Sequence, residues 1–443
     1  MKNIVSYGIG NLSYSIIANT ISNFFMFYGT SVIGLGGTLT GIAVAIGTAW
    51  NGLGDPVVGF VSDKFPLGKF GRRKGYMLIA CIAMAAINLA VWCVPLGMNT
   101  VLKFLWVLMS LIIIQTAVSF YTTPYSALGV DLATNKNKNT RLMVSRTCFM
   151  FVGMVLPSVL FTLFLPNSIE YPVGQLNPNG YRYIAYVCST VCLVCALLCI
   201  FFTKNKQVSD TKPPKSINIK QMFKHFVGIF KHKNLRNIII GSAMSDVSAV
   251  ILMSIGMHFF TYCFYYSSTQ ITIILISLLL GASLSQVVWY KLSKKDKLQT
   301  ILISIFVTTT GVFAVMLVYV FRFELNYISY YFCIVGMFIC GAGSGALYTI
   351  PLSIYNDEVK KINENYSDDR TATYTGMLTF TSSAVTALSQ LISGALLDII
   401  KFDANLIDQS LGVQTGLALI LFGGIMSVLI ASFYFFGKYN KQK

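Results

Sequence analysis

The sequence predicts an all-α integral membrane protein with twelve transmembrane helices in two six-helix bundles. Composition supports this fold class, because 55% of the residues are hydrophobic and only 11% are charged, which excludes an ordinary soluble domain. Apolar runs long enough to cross about 30 Å of hydrocarbon can be placed twelve times along the chain. A long basic segment divides these runs six and six, as in membrane proteins built from two repeated halves.

The predicted helices follow the apolar runs in chain order. We place them at roughly 9–32, 38–62, 75–97, 104–127, 146–165, 183–203, 237–265, 271–290, 299–321, 328–351, 373–396 and 412–436. The domain boundaries that result are an N-terminal bundle over 1–203, a cytoplasmic basic linker over 204–236 and a C-terminal bundle over 237–443.

The basic residues predict how the chain is oriented. The net charge of +17 comes from 33 Lys and Arg against 16 Asp and Glu, and nearly all of the basic residues fall in alternate loops and tails. The exceptions, each in a loop of the opposite set, are Lys103, Arg182, Arg322 and Lys401. This asymmetry follows the positive-inside rule. We therefore expect a multi-pass protein of the cytoplasmic (cell) membrane, with both termini in the cytoplasm and no nucleic-acid partner.

The sequence carries no signature of an enzyme or a metal centre. We find no Walker loop, dinucleotide fingerprint, nucleophile elbow or His/Cys metal spacing, and there are only three His. Four of the ten cysteines repeat at helical spacing, namely Cys188, Cys192, Cys195 and Cys199. One helical stripe is too long to surround a single ion, so we interpret it as packing. We expect no catalytic residue, no metal and no cofactor.

A carboxylate, Asp55, lies inside the second apolar segment. A charge at the centre of a bilayer costs roughly 2.5–3.5 kcal/mol on insertion scales, so an acid there predicts a functional site. Pro56 frees a carbonyl of the preceding turn, and Asn51 lies one turn before Asp55 on the same face. Together with Ser119 of the fourth helix, these oxygens predict a site for Na⁺ or a proton. Alternatively, Asp55 pairs with Arg146 or another base and only holds helices together.

Three helices carry uncharged polar residues at helical spacing, so each set lies on one face. Around a cavity, such faces would bind a neutral, hydroxyl-bearing or zwitterionic ligand. The planar guanidinium group of an arginine would supply a fixed pair of hydrogen-bond donors. The alternative is that these side chains bond their own helices or bridge helices. The predicted ligand-binding residues are Asn11, Ser15 and Asn19 of the first helix, Thr122 and Ser126 of the fourth, Arg146 at the start of the fifth, and Thr379 and Ser382 of the eleventh.

Two features predict gating. The turn after the second helix carries Gly59, Asp63, Arg72 and Arg73, and an acid at a helix end can form a latch that breaks when one side opens. A pure topology signal is the alternative. Asp246 is the other acid well inside an apolar segment, and it is either a second protonatable or substrate-facing group, or a capping or gate residue near the cytoplasmic end.

Several short motifs occur in the order of a known family. They are Ser6 to Gly10, Trp50 followed by Gly54-Asp55-Pro56 with Gly59 and Asp63, Gly71-Arg72-Arg73, Pro124 to Leu128, Thr140 to Leu142 with Arg146, and Asp357-Glu358 with Arg370. With these motifs the chain resembles the glycoside–pentoside–hexuronide:cation symporters of the major facilitator superfamily, which include the melibiose permease. The resemblance implies two six-helix bundles, alternating access around a midplane site and cation-coupled uptake.

The resemblance also assigns roles to individual positions. It places Asp55 at the family's surviving second-helix carboxylate, Ser119 at a position where the family has a hydroxyl group, and Arg146 at the family's arginine. A further second-helix acid of the sugar permease is replaced by Asn51. These assignments imply that proton coupling is favoured over sodium coupling.

Three other positions depart from the sugar permease. The two acids that grip the sugar there fall at Ser15 and Thr122, and its eleventh-helix lysine corresponds to Ser382. Galactoside recognition of the familiar kind is therefore not expected.

We expect a cation-coupled secondary active transporter, a symporter that carries a sugar, glycoside or similar small organic solute together with H⁺ or Na⁺. One alternative is an exporter or carrier of an amphipathic, lysolipid-like or antibiotic-like solute. Another is a non-transporting membrane receptor or immunity protein on the same fold. The expected partners are the small-molecule substrate and membrane lipid, with the monomer as the functional unit.

Overall fold

The computed structural model of the chain describes residues 2–64, 71–132, 136–203, 232–363 and 371–439, although some side chains within these helices lie outside the description. The chain divides into two compact units, Met1–Ser216 and Ile217–Lys443. Each unit has six long helical segments among its described residues. The predicted all-α membrane fold class is confirmed.

The N-terminal unit consists of helices α1 to α6. They are α1 (Lys2–Phe27), continued by a π-helical turn at Tyr28–Val32, α2 (Gly37–Lys64), α3 (Gly71–Trp92), α4 (Thr100–Leu132), α5 (Lys136–Phe164) and α6 (Pro178–Phe202).

The C-terminal unit begins with α7 and repeats a six-helix arrangement. Its helices are α7 (Lys233–Cys263), α8 (Ser268–Ser293), α9 (Lys297–Val320), α10 (Ser329–Leu347), the shorter α11 (Ile350–Asn363), α12 (Thr371–Ile399), and α13 (Leu411–Ala418) joined through a π-helical turn at Leu419–Gly423 to α14 (Gly424–Gly437).

Local sequence explains where several helices begin. The Ser267 side chain and Gln270 form a reciprocal capping box at the start of α8, which satisfies two free backbone donors. Asp296 accepts from the backbone of Leu298 and Gln299 and so caps α9. Pro351 lies in the first turn of the separate helix α11, where proline is tolerated. It therefore does not kink a long helix.

The helices extend beyond the apolar limits that hydropathy predicts. Ten described helical segments are long and apolar enough to span a membrane. Because α5 begins at Lys136, Arg146 lies inside the helix and not at its start. Similarly, α7 begins at Lys233 and not at residue 237, so Asp246 lies near the middle of its helix. Polar residues extend a helix beyond the hydrocarbon core of the membrane, and hydropathy alone does not detect this extension. Residues 204–231 of the predicted linker lie outside the described residues.

Both units pair their helices in the same order. In the N-terminal unit α1 packs against α5 and α6, α3 against α4 and α6, and α2 against α4. In the C-terminal unit α7 packs against α12 and α14, α9 against α10 and α14, and α8 against α10. The pattern is identical when α7, α8, α9, α10, α12 and α14 are counted as first to sixth. Such a match is expected of internal structural repeats.

Small residues let α10 approach its neighbours closely, as the sequence predicts. A Cβ atom built on Gly341 would lie 2.7 Å from the backbone carbonyl carbon of Leu278 in α8. One built on Gly343 would overlap the backbone nitrogen of Thr308 in α9. Glycine at these positions therefore allows backbone-to-backbone packing on two sides of α10.

Candidate functional site

The predicted cation-site residues Asn51 and Ser119 meet across the interface of α2 and α4. The buried Ser119 hydroxyl donates to Asn51 Oδ1 at 2.9 Å. Gly54 lies beside the same hydroxyl, since its Cβ position would be 3.6 Å from Ser119 Oγ. The face of α2 that carries Asn51 and Gly54 therefore packs against Ser119. The Asp55 side chain, on the next position of α2, lies outside the described residues.

Asn11 of α1 and Arg146 of α5 are also in contact. Asn11 Nδ2 donates to the Arg146 backbone carbonyl at 2.8 Å, and the Asn11 side chain is fully buried. Asn11 Oδ1 has no hydrogen-bond partner among the described residues. A buried amide oxygen without a donor costs free energy, so this atom can accept a bond from a ligand.

Three tyrosines lie close to the Arg146 side chain, and a fourth stacks on one of them. Its guanidinium carbon lies 5.5 Å from the centre of the Tyr125 ring, and the hydroxyl groups of Tyr7, Tyr14 and Tyr125 are close enough to interact with its charge. The Tyr7 and Tyr125 rings stack at 4.6 Å, and Tyr121 stacks on Tyr125 at 5.8 Å. We call these four tyrosines and Arg146 the tyrosine–arginine cluster.

Tyrosine hydroxyl groups of α4 in this cluster bond to backbone carbonyls of α1. Tyr125 donates to the Tyr7 carbonyl at 2.8 Å, and Tyr121 donates to the Gly10 carbonyl at 3.0 Å. No described carboxylate forms an ion pair with Arg146. A preorganised guanidinium next to aromatic rings suits a carboxylate, a phosphate or the hydroxyl groups of a sugar.

Other predicted ligand-binding residues of the N-terminal unit are placed differently. Ser15 is only 3% exposed and packs against Gly153 of α5. Asn19 donates to the Ser15 carbonyl at 2.7 Å, within its own helix. Thr122 and Ser126 are half-buried on α4. Asn19 therefore bonds to the backbone of its own helix, as the alternative interpretation of the polar faces describes. The ligand-binding roles of these four residues stay predictions.

In the C-terminal unit the structure brings together Asp246 and Ser382. The Ser382 hydroxyl of α12 donates to Asp246 Oδ2 of α7 at 2.5 Å. Asp246 also lines a cavity of about 40 Å³ within this unit. The Thr379 side chain, predicted one turn before Ser382, lies outside the described residues.

The predicted gating residues are described only in part. Arg73 Nη1 donates to the backbone carbonyl of Ala127 in α4, which links the start of α3 to the end of α4. The surroundings of Gly59 and the side chains of Asp63 and Arg72 lie outside the described residues, so the latch stays a prediction.

The described part of the chain contains no group of three or more His, Cys, Asp or Glu that could hold a metal ion. The four cysteines of α6 are buried free thiols. Cys188 lies 3.6 Å from the Thr20 hydroxyl of α1, so this stripe forms part of the contact between α1 and α6.

Sequence reasoning missed the four tyrosines of the tyrosine–arginine cluster. A signal was present, because Tyr7 and Tyr14 are seven residues apart on α1 and Tyr121 and Tyr125 are four apart on α4, which places each pair on one helix face. Their convergence on Arg146 depends on how α1, α4 and α5 pack, and no single-helix pattern contains that information.

Comparisons with known proteins agree with this architecture. A family model described as "MFS/sugar transport protein" matches residues 6–441. The chain is 32% identical to an uncharacterised symporter of Synechocystis over 40% of this chain and 33% of the relative. It is 20% identical to the sodium-dependent lysophosphatidylcholine symporter 1-A of Danio rerio, over 98% of this chain and 85% of the relative.

A sugar transporter is also among the relatives. The isoprimeverose transporter of Lactiplantibacillus pentosus is 21% identical, over 49% of this chain and 45% of the relative. This match covers about half of each protein, whereas the lysophosphatidylcholine symporter matches along almost all of the chain.

Solved structures resemble the fold at low sequence identity. A mutant of the nucleoside transporter NupG superposes with a TM-score of 0.70 at 15% identity, covering 98% of this chain and 100% of the other. The D-xylose-proton symporter superposes with a TM-score of 0.69 at 12% identity, covering 99% and 97%. At these identities the likeness establishes the fold alone.

Proposed function

The chain belongs to the MFS/sugar transport protein family, and from this premise we propose that it is a cation-coupled symporter of a sugar, glycoside or similar small organic solute. The family membership confirms the resemblance to symporters that the sequence motifs indicated, and it makes the chain a multi-pass membrane transport protein. The proposal adds the coupling to H⁺ or Na⁺, the solute class, and location in the cytoplasmic membrane with both termini in the cytoplasm.

The observation that carries the proposal is the Ser119–Asn51 hydrogen bond at 2.9 Å. It supports a neutral, oxygen-rich contact between α2 and α4 one helical turn from Asp55. An intramembrane acid is suited to taking up one proton or cation per cycle. The tyrosine–arginine cluster of the same unit supplies donors that suit a solute with hydroxyl or anionic groups.

A second candidate solute is an amphipath with an anionic head, such as a lysolipid. The full-length match to a lysophosphatidylcholine symporter favours it. So do the aromatic walls around Arg146, since tyrosine rings can pack against an acyl chain or a sugar face equally well. Under this alternative Arg146 would bind the phosphate through its planar fork.

Asp55→Asn tests the coupling. We reconstitute the full chain into liposomes and measure entry of labelled D-xylose, isoprimeverose and lysophosphatidylcholine, driven by an imposed proton or sodium gradient. Asparagine is nearly the same size as aspartate, but its side-chain amide does not take up a proton in the physiological pH range. Gradient-driven accumulation should therefore fall to that of protein-free vesicles, while exchange of labelled for unlabelled solute across the membrane should persist.

The matched control is Glu170→Gln, the same chemical change at an exposed loop position of the N-terminal unit, and it should accumulate solute normally. Accumulation by Asp55→Asn that equals the unaltered protein would contradict cation coupling through Asp55. Transport of lysophosphatidylcholine without transport of either sugar would replace the sugar proposal by the amphipath. Binding of solute without exchange would indicate a receptor.

A further inference from the structure

The C-terminal unit contains a cavity that neither the cation site nor the tyrosine–arginine cluster uses. It lies among α7, α8, α9, α10 and α14 and has a volume of about 40 Å³. Asp246 is the charged residue on its described lining, and Ser245, Ser248, Thr308 and Ser344 add hydroxyl groups. The remaining walls are mainly apolar.

Three of the hydroxyl groups on this lining have already used their protons, and the phenol of Tyr348 is a further hydroxyl group there. Ser248, Thr308 and Ser344 each donate to a backbone carbonyl of their own helix, at 2.7, 2.8 and 3.0 Å. A hydroxyl group that has donated its one hydrogen can only accept further bonds. These three oxygens therefore present lone pairs to whatever fills the cavity.

Asp246 adds a negative charge to the same lining. Its Oδ2 accepts from Ser382 at 2.5 Å, and a carboxylate is an acceptor only. No described basic side chain forms an ion pair with it. The described lining contains no Lys, Arg, His, Asn, Gln or Trp side chain that could donate to a ligand. The cavity thus combines several acceptors with one uncompensated charge.

This chemistry selects among ligand classes. A sugar needs donors as well as acceptors from its site, and this lining supplies few donors. A bare sodium ion would leave the apolar walls, such as Leu252 and Leu278, without a partner. A protonated amine on a short apolar body uses all three features, and Tyr348 adds an aromatic ring to the lining of the kind that attracts cations.

We propose that the cavity of the C-terminal unit binds an organic ammonium ion, with the Asp246 carboxylate as its counter-ion and Ser344 and Thr308 as acceptors. This site goes beyond the proposed symport function and does not depend on which solute is carried. It gives Asp246 a ligand-binding role in place of the predicted gating role.

The test is a ligand titration of the purified full-length protein in mild detergent. Binding is measured by calorimetry and by the shift in thermal unfolding. The probe is ethylammonium chloride, whose short apolar body suits a cavity of about 40 Å³, and ethanol is the neutral comparison of similar shape. Potassium chloride keeps the ionic strength constant. We expect saturable binding of the ammonium probe and none of the alcohol. Asp246→Asn, which keeps the acceptor for Ser382, should weaken binding about tenfold or more.

Glu324→Gln is the matched control, because it makes the same change at an exposed position of the same unit, and it should bind normally. Ser344→Val removes an acceptor and narrows the cavity, so it should also weaken binding, and it serves as the test if Asp246→Asn fails to fold. The proposal is overturned by equal binding to Asp246→Asn, by equal binding of the alcohol, or by stabilisation with sodium chloride in place of the amine.

Discussion

The two units of this protein use one helix-packing pattern to build polar sites of opposite charge. In the N-terminal unit the first and fifth helices meet through Asn11 and the carbonyl of Arg146. In the C-terminal unit the equivalent helices, α7 and α12, meet through Asp246 and Ser382. The same helix pair therefore carries a guanidinium in one unit and a carboxylate in the other.

This difference shows that the repeat determines where polar groups meet, while single substitutions determine what they bind. A rigid pair of helices holds its contacting side chains in place whatever their charge. The guanidinium, enclosed by tyrosines, suits anionic or hydroxyl-bearing groups. The carboxylate, which has no ion-pair partner among the described basic side chains, suits a cation. Functional divergence between the units thus needs few residues and no change of fold.

The largest expected effect concerns Arg146. We expect Arg146→Gln to reduce uptake of the transported solute about 100-fold, because a charged hydrogen bond contributes about 1.5–3 kcal/mol and the glutamine lacks the fork. Arg146→Lys should recover only part of the loss, since an ammonium group is not planar. Initial rates of uptake into proteoliposomes measure both changes.

Arg141→Gln is the control for this prediction, because Arg141 lies exposed on the same helix, and its rate should be unchanged. Equal uptake rates for Arg146→Gln and the unaltered protein would show that the Arg146 guanidinium does not contribute to transport. The opposite charges of the two units would then have no effect on uptake.

A smaller effect should separate equivalent helix contacts in the two units. The second and fourth helices of each unit pack together, through Gly47 and Leu111 in one and through Leu278 and Gly341 in the other. A Cβ on Gly341 would overlap backbone of α8, whereas a Cβ on Gly47 would lie 3.2 Å from the Leu111 Cβ. Backbone cannot move aside easily, so Gly341→Ala should cost about 1–3 kcal/mol of unfolding free energy.

Gly47→Ala is its counterpart in the N-terminal unit. Alanine is favoured over glycine in a helix by about 1 kcal/mol, which should offset the mild contact and leave stability nearly unchanged. Unfolding in mixed detergent micelles compares the two variants. Equal losses for both would mean that the two contacts are equally tight, contrary to the comparison.

The smallest expected effect concerns the end of each unit. In the N-terminal unit Lys74 donates to the Thr203 carbonyl after α6. In the C-terminal unit Tyr439, after α14, donates to Glu358 Oε2 at 3.1 Å. Burial, together with the Glu358 carboxylate, raises the pKa of Tyr439 to about 12 from the usual 10.0.

A group whose pKa is higher in the folded state than in the unfolded state stabilises the fold at pH values below its unfolded-state pKa. It loses this contribution as the pH rises through its folded-state pKa. The contribution of Tyr439 should therefore be complete below about pH 10 and decline towards pH 12. Tyr439→Phe removes the titrating group, so its unfolding free energy should fall less steeply across this window. Parallel pH profiles for the two proteins would show that the contact with Glu358 does not contribute.

Much of the fold was predictable because it follows from hydropathy and helical periodicity, which act along one helix at a time. The division into two sets of six helices belongs to this class. The contact between Asn51 and Ser119 agrees with the predicted grouping, since both lie on regular faces of their helices. Helix ends were predicted less well, because α5 and α7 continue through polar residues.

The sequence by itself determined that this chain is an all-α membrane protein of two six-helix bundles, because burial in lipid imposes long apolar helices, and it predicts a functional acid at Asp55, because lipid penalises isolated charges. Only the tertiary structure decided that tyrosines of α1 and α4 converge on Arg146 of α5 and that Ser382 bonds to Asp246, 136 positions away. Those contacts join residues of different helices, and they depend on the rotation and packing of whole helices, which no periodicity within a single helix can specify.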